Sequence, residues 1–149
     1  MAKLRLVNRL FLDASYAIAL ASESDEHHGR AIELSTLITE KAIPMITTRA
    51  ILLEIGNGLA RRYRRAAIRL LDSIEDDEDI EVITPSEELY DRALDLYRKH
   101  LDKDWGLTDC LSFVVMRDRR MLTALTADDH FRQAGFTALL LKNDFTEAL

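Results

Sequence analysis

The 149-residue chain holds one cysteine, two prolines and five glycines. The lone cysteine, Cys110, excludes an intramolecular disulfide and fits a reducing cytoplasm. So few prolines and glycines exclude a low-complexity or collagen-like chain. No apolar run reaches the ~18 residues of a membrane span, so no membrane partner is expected. The first fifteen residues, MAKLRLVNRLFLDAS, carry basic side chains but no uninterrupted apolar stretch and no small-residue cleavage site, so they do not read as a signal peptide. A phosphate-cradling glycine loop, a cysteine cluster and internal repeats are also missing. Positive charge is short as well. A net charge of −6 argues against a simple cationic nucleic-acid binder. It does not argue against chemistry through bound cations: four acids given to a metal leave −6 + 4 = −2 on the rest of the chain.

What remains is 48% apolar and 31% charged, the composition of an ordered globular chain. Its length suits one domain over residues 1–149, with enough chain to bury a core. Leu4 to Leu12 reads as a buried strand, and Ala14-Ser-Tyr-Ala-Ile-Ala-Leu starts a helix. Ile32, Leu34, Leu37 and Ile38 keep helical spacing in a helix from Ala31 to Lys41. His27 and His28 are adjacent, so they cannot form the i, i+4 pair of a helical zinc site, and they read as a helix start. Ile43-Pro-Met-Ile begins a strand, with proline tolerated at its first positions. Thr47 or Thr48 caps a helix from Arg49 to about Arg62, with Ile51, Leu52, Ile55, Leu59 and Tyr63 on its apolar face. A second helix over Ala66 to Ile74 completes a hairpin. Ile80-Glu-Val-Ile-Thr alternates like a strand, and Glu87 to His100 forms a helix with Leu89, Ala93, Leu96 and Tyr97 inward. Alternating helices and short strands of this kind imply an α/β fold with a parallel sheet.

The stretch from Gly106 to Met116, followed by Leu122 to Phe131, carries the chemistry. Asp109 opens an almost wholly apolar helix with Thr108 as its expected N-cap. The next, strand-like segment runs into Asp128. In parallel α/β sheets such positions converge on a crevice at the C-terminal edge of the strands. Asp13 ends the first strand and suits a helix cap as well as a metal ligand. Glu54 lies off the apolar face of its helix, in a sector shared with Ala50, Asn57, Gly58 and Arg61. It is either a solvated glutamate or a site residue. Gly58 costs about 1 kcal/mol of helix propensity relative to alanine, a loss that invites a close approach by another backbone or a substrate. Thr126-Ala-Asp-Asp has capping-box spacing, which assigns Asp129 to the Thr126 amide and leaves Asp128 for the crevice. Four acids at element ends would suit one or two hard divalent cations, which take oxygen ligands. Arg61, Arg62, Arg64, Arg65 and Arg69 form a basic block beside an acidic one from Asp72 to Glu81. The block reads either as a solvated helix face or as a phosphate-neutralising patch. Trp105 reads as an anchor on the core, with a nucleobase contact as the alternative.

The motifs F-L-D-A-S, T-T-R-A-I-L-L-E, L-T-D-C-L-S-F and L-T-A-D-D-H-F-R-Q-A-G-F, in that order, resemble a PIN-domain ribonuclease, and within that group the VapC-type toxins of prokaryotic toxin–antitoxin pairs. The resemblance covers nearly the whole chain and is most specific in the last motif. It implies a three-layer α/β/α sandwich around a mainly parallel sheet and an Mg²⁺- or Mn²⁺-dependent endoribonuclease. It also implies a cognate antitoxin that covers the crevice and a homodimer. It places Asp13, Glu54, Asp109 and Asp128 at the family's acidic positions, with Thr126 as the hydroxyl that orients the last acid. Two features depart from the pattern. Asp13 lies further from the N-terminus than is usual, and Asp129 beside Asp128 offers a second candidate for the fourth acid. The rival readings are a DNA-directed or RNA-maturation nuclease of the same fold, separated by the ratio of RNA to DNA cleavage, and a non-catalytic binding module, which would lack one of the acids.

Overall fold

A computed structural model describes residues 9–142. Five strands form one sheet: β1 (Leu10–Leu12), β2 (Met45–Thr48), β3 (Ile80–Ile83), β4 (Thr123–Leu125) and β5 (Thr137–Ala138). Their spatial order is β3-β2-β1-β4-β5, and every pairing is parallel. The part of the first expected strand that precedes residue 9 lies outside the described residues. Between the strands run α1 (Ala14–Ala21), α2 (His28–Lys41), α3 (Arg49–Leu59), α4 (Arg64–Asp76), α5 (Glu87–Lys99), α6 (Leu107–Asp118) and α7 (Asp129–Gln133), and a short 3₁₀ turn, Leu139–Leu141, follows β5. Helices α1 to α4 pack on one another, as do α5, α6 and α7, which gives the expected three-layer α/β/α sandwich. Among the described residues no helix is long and apolar enough to cross a membrane.

The strands are short because their sequence is. β1 is buried along its whole length, and its neighbours on both sides are parallel, as expected of a central strand that reads as a continuous apolar run. The chain builds β1, β2 and β3 outward on one side, then returns to lay β4 and β5 on the other. The strand order therefore reverses around β1, and a crevice opens beyond the C-terminal ends of β1 and β4.

A cluster of rings fixes the elements that border this crevice. Phe113 of α6 meets Phe131 of α7 edge-on at 5.0 Å and Trp105 edge-on at 5.0 Å, while Phe131 lies 6.2 Å from Phe11 of β1. Such offset and edge-on pairs contribute about 0.5–1.5 kcal/mol beyond their buried area. Trp105 is buried, as its core assignment requires, and its indole N–H donates to Gln133 at 3.0 Å.

Several local expectations need correction. Gly106, not Thr108, caps α6, because the Asp109 carboxylate reaches back to the Gly106 amide and draws the helix start two residues earlier. The start of α6 is only part-buried; full burial runs from Cys110 to Met116. Helix α3 ends at Leu59 and α4 begins at Arg64, so the turn between them takes in Arg61 and Arg62. Tyr97 is 48% exposed, because α5 meets α6 through a stripe centred on Ala93 and its last turn overhangs an open cleft beside His100 and Leu101. Gly58 serves packing between helices: a Cβ there would stand 2.7 Å from Ile18 Cδ1 of α1.

Candidate active site

Three helix starts meet at the C-terminal edge of the sheet. Asp13 follows β1 and caps α1. Asp128 follows β4 and caps α7, while Asp109 stands in the first turn of α6. Helix N-termini carry partial positive charge, which lowers the cost of gathering acids there. Glu54, on α3, completes the group: its carboxyl feels Asp13, Asp109 and Asp128 and accepts a hydrogen bond from Thr108. The structure thus brings all four acids together.

Their surroundings differ. Asp13 is 5% exposed, and its Oδ2 accepts three hydrogen bonds, from Ser15 Oγ at 2.7 Å, Thr126 Oγ1 at 2.7 Å and the Ser15 amide at 3.3 Å. Burial nevertheless pushes its pKa up, and Asp109 adds to the rise. Asp109 Oδ2 accepts from the Gly106 amide at 2.9 Å and from His130 Nδ1 at 3.0 Å. Its pKa is raised as well, by burial first and then by Asp128. Glu54 is exposed as a whole residue, yet burial around its carboxyl and then the three neighbouring acids raise its pKa. Asp128 Oδ1 accepts from the His130 amide at 2.9 Å and lies 3.3 Å from His130 Nδ1.

Three carboxyls whose pKa values rise together, with no lysine or arginine paired to any of them among the described residues, form a site short of positive charge. Ligand atoms of Asp109, Asp128 and His130 lie within 4.8 Å of one another, the spacing a single ion requires. The donor set is mostly carboxylate oxygen, which fits a hard divalent cation.

Two hydroxyls organise the set. Ser15 and Thr126 both donate to Asp13, Ser15 Oγ accepts from the Ala127 amide at 2.9 Å, and Thr126 Oγ1 accepts from the Asp128 amide at 3.0 Å. Thr126 therefore ties the first acid to the backbone of the last. Replacing it with valine keeps the volume but removes a donor and an acceptor. Thr126→Val is expected to cost about 1–2 kcal/mol in urea denaturation, and Thr126→Ser to cost little.

The expected capping box at Thr126 is not formed as read. Asp128 is the N-cap of α7, and Asp129 turns outward to Gln133 Nε2 at 3.2 Å and Arg132 at 3.5 Å, 60% exposed. The helix therefore starts two residues later than the box implies, because the Thr126 side chain is already committed to Asp13 and the Asp128 amide. Arg61, Arg62 and Arg65 are exposed, with no carboxylate paired to them among the described residues; the Arg62 guanidinium lies over the Tyr63 ring at 5.4 Å. Ser15 and His130 escaped attention in the sequence, although both stand inside the recognised motifs, two residues after Asp13 and Asp128. Cys110 is fully buried, and burial pushes its thiol pKa up, which keeps it unreactive.

Comparison with known proteins agrees with this fold. The 23S rRNA-specific endonuclease VapC20 of Mycobacterium tuberculosis, in strains CDC 1551/Oshkosh and ATCC 25618/H37Rv, is 28% identical over 127 residues, covering 85% of this chain and 95% of the relative. The crystal structure of Mycobacterium tuberculosis VapC20, described as a Sarcin-Ricin loop cleaving toxin, superposes with a TM-score of 0.77 at 27% identity, covering 86% of this chain and 96% of that one. The family model for the PIN domain matches residues 10–137, nearly the whole described chain, and the chain belongs to the PIN-domain family.

Proposed function

We propose that this chain is a single-domain, VapC-like endoribonuclease that hydrolyses RNA phosphodiester bonds in the cytoplasm. The observation that carries the reading is the convergence of Asp13, Glu54, Asp109 and Asp128 on one crevice with no lysine or arginine paired to them among the described residues. These four acids would hold one or two Mg²⁺ or Mn²⁺ ions. A divalent cation bound there supplies electrophilic stabilisation of the scissile phosphate and lowers the pKa of water. The protein's own part is to hold the acids in place through Ser15, Thr126 and the Gly106 amide, and to exclude water from the Asp13 side of the cluster. Arg61, Arg62 and Arg65 offer charge to the phosphates of an arriving RNA strand. By likeness to its relatives, the chain forms a homodimer and is held inactive by a cognate antitoxin covering the crevice.

The test is cleavage of a panel of tRNA, 23S rRNA and DNA with Mg²⁺, Mn²⁺ or EDTA. The 23S rRNA is included because it is the target named for the mycobacterial relative. RNA cutting with either metal, none with EDTA and little on DNA is the expected pattern. Preferential DNA cutting overturns the RNA assignment, and a chain that binds no divalent metal overturns the enzyme. Sedimentation at micromolar concentration checks the dimer, which a strictly monomeric protein sinks.

A further inference from the structure

Each of the three aspartates has one oxygen engaged by the protein and one left open. Donors reach Oδ2 of Asp13, Oδ2 of Asp109 and Oδ1 of Asp128. Among the described residues no hydrogen bond reaches the opposite oxygen of any of the three. The cluster thus presents three single oxygens, each aimed by what holds its partner atom. Asp13 is aimed by two hydroxyls and an amide. Asp109 and Asp128 share one side chain, that of His130, whose Nδ1 lies 3.0 Å from Asp109 Oδ2 and 3.3 Å from Asp128 Oδ1.

A ring nitrogen between two carboxylate oxygens at these distances must carry a hydrogen, because a lone pair facing both would be repelled. We infer that His130 is a positioning residue, its Nδ1–H shared between Asp109 and Asp128 so that each offers one oxygen to a divalent cation. The inference rests on the reading of this crevice as a metal centre. An imidazole N–H suits the place better than a lysine or arginine, whose permanent charge would compete with the cation for the same acids. The ring is also well anchored. Its backbone amide is bonded to Asp128, and the next residue, Phe131, is fully buried against Phe113. Side chains that orient metal ligands in this way typically contribute 10–100-fold to metal affinity.

The test is calorimetric titration of Mg²⁺ and Mn²⁺ into the wild type, His130→Ala, His130→Asn and His130→Gln, with thermal unfolding of each in EDTA. The asparagine amide places an N–H near the Nδ1 position, whereas that of glutamine lies one carbon further out. Affinity for both ions should fall in parallel by roughly 10–100-fold in His130→Ala and recover in His130→Asn but not in His130→Gln. If His130→Ala does not fold, the asparagine and glutamine pair decides by the same criterion. Unchanged affinity in His130→Ala overturns the role. So does a loss confined to Mn²⁺, which would make the nitrogen a ligand. So does equal affinity in the asparagine and glutamine variants. A wild type that binds neither ion refutes the metal centre itself, a separate result from failure of the His130 assignment.

Discussion

Asp109→Asn is expected to lower RNA cleavage by roughly 10³-fold, the equivalent of about 4 kcal/mol of lost transition-state stabilisation, while the protein stays folded. The substitution is close to isosteric. The asparagine side chain has an oxygen that accepts from the Gly106 amide or from His130 Nδ1, both of which now reach Asp109 Oδ2. What it loses is the charge that a cation needs. Stability in EDTA should hold or rise, because the part-buried carboxyl it replaces is ionised at a cost. The companion substitution is Asp129→Asn. Asp129 faces solvent and pairs with Arg132 and Gln133, so its removal should change cleavage by no more than a few-fold. Single-turnover cleavage with Mn²⁺ checks both. An active Asp109→Asn protein removes that residue from the chemistry, and a dead Asp129→Asn protein makes it, rather than Asp128, the fourth acid.

Much of the fold was legible because local and global signals agree. Leu10, Phe11 and Leu12 are a short apolar run and are fully buried as the central strand, and Thr48 caps the helix that follows it. The parallel sheet follows from alternating strands and helices, which leave no two strands close enough in sequence for a hairpin. The errors fall where one side chain had two possible partners. Thr126 had the spacing to begin a capping box with Asp129, but its hydroxyl oxygen accepts from the Asp128 amide instead, and its proton goes to Asp13, 113 residues away in the sequence. Asp109 itself reset the start of α6, something spacing alone could not separate from a Thr108 cap. Gly58 signalled a close approach without naming the partner, because Ile18 comes from a helix that only the fold brings near. Glu54 was the least legible of the four acids. Periodicity showed that it was off the apolar face, and only the placement of Asp13, Asp109 and Asp128 around it distinguishes it from a solvated glutamate. Ser15 and His130 lie in the first turns of α1 and α7, where a polar residue reads as an ordinary helix start, and their side-chain partners include residues that only the fold brings near.

Removing divalent metal should make the protein less stable as pH rises from about 4 toward neutrality, against the usual trend for acids in ion pairs. The sign follows from the direction of the shifts. Asp13, Asp109 and Glu54 all have folded-state pKa values raised above their ordinary values, chiefly by burial. The folded protein therefore holds protons that the unfolded chain has already released, and each increment of pH in that window favours unfolding. Asp118 works the other way. Its two hydrogen bonds from Arg92, both at 2.7 Å, lower its pKa, so its contribution is present at neutral pH and fades as pH falls through the lowered value. That pair is near half-exposed and screened by solvent, so the buried acids set the slope. A divalent cation reverses the effect, because it binds the ionised cluster and displaces its protons. At a hundredfold excess over its dissociation constant it adds about 2.7 kcal/mol. For a chain of this length that is roughly 5–10 °C in Tm. Thermal unfolding from pH 4 to 8, with EDTA and with Mn²⁺, measures both effects. The two curves should converge at low pH, where protons occupy the cluster, and separate as pH rises. A constant separation across that range would mean the ion binds somewhere other than these carboxylates.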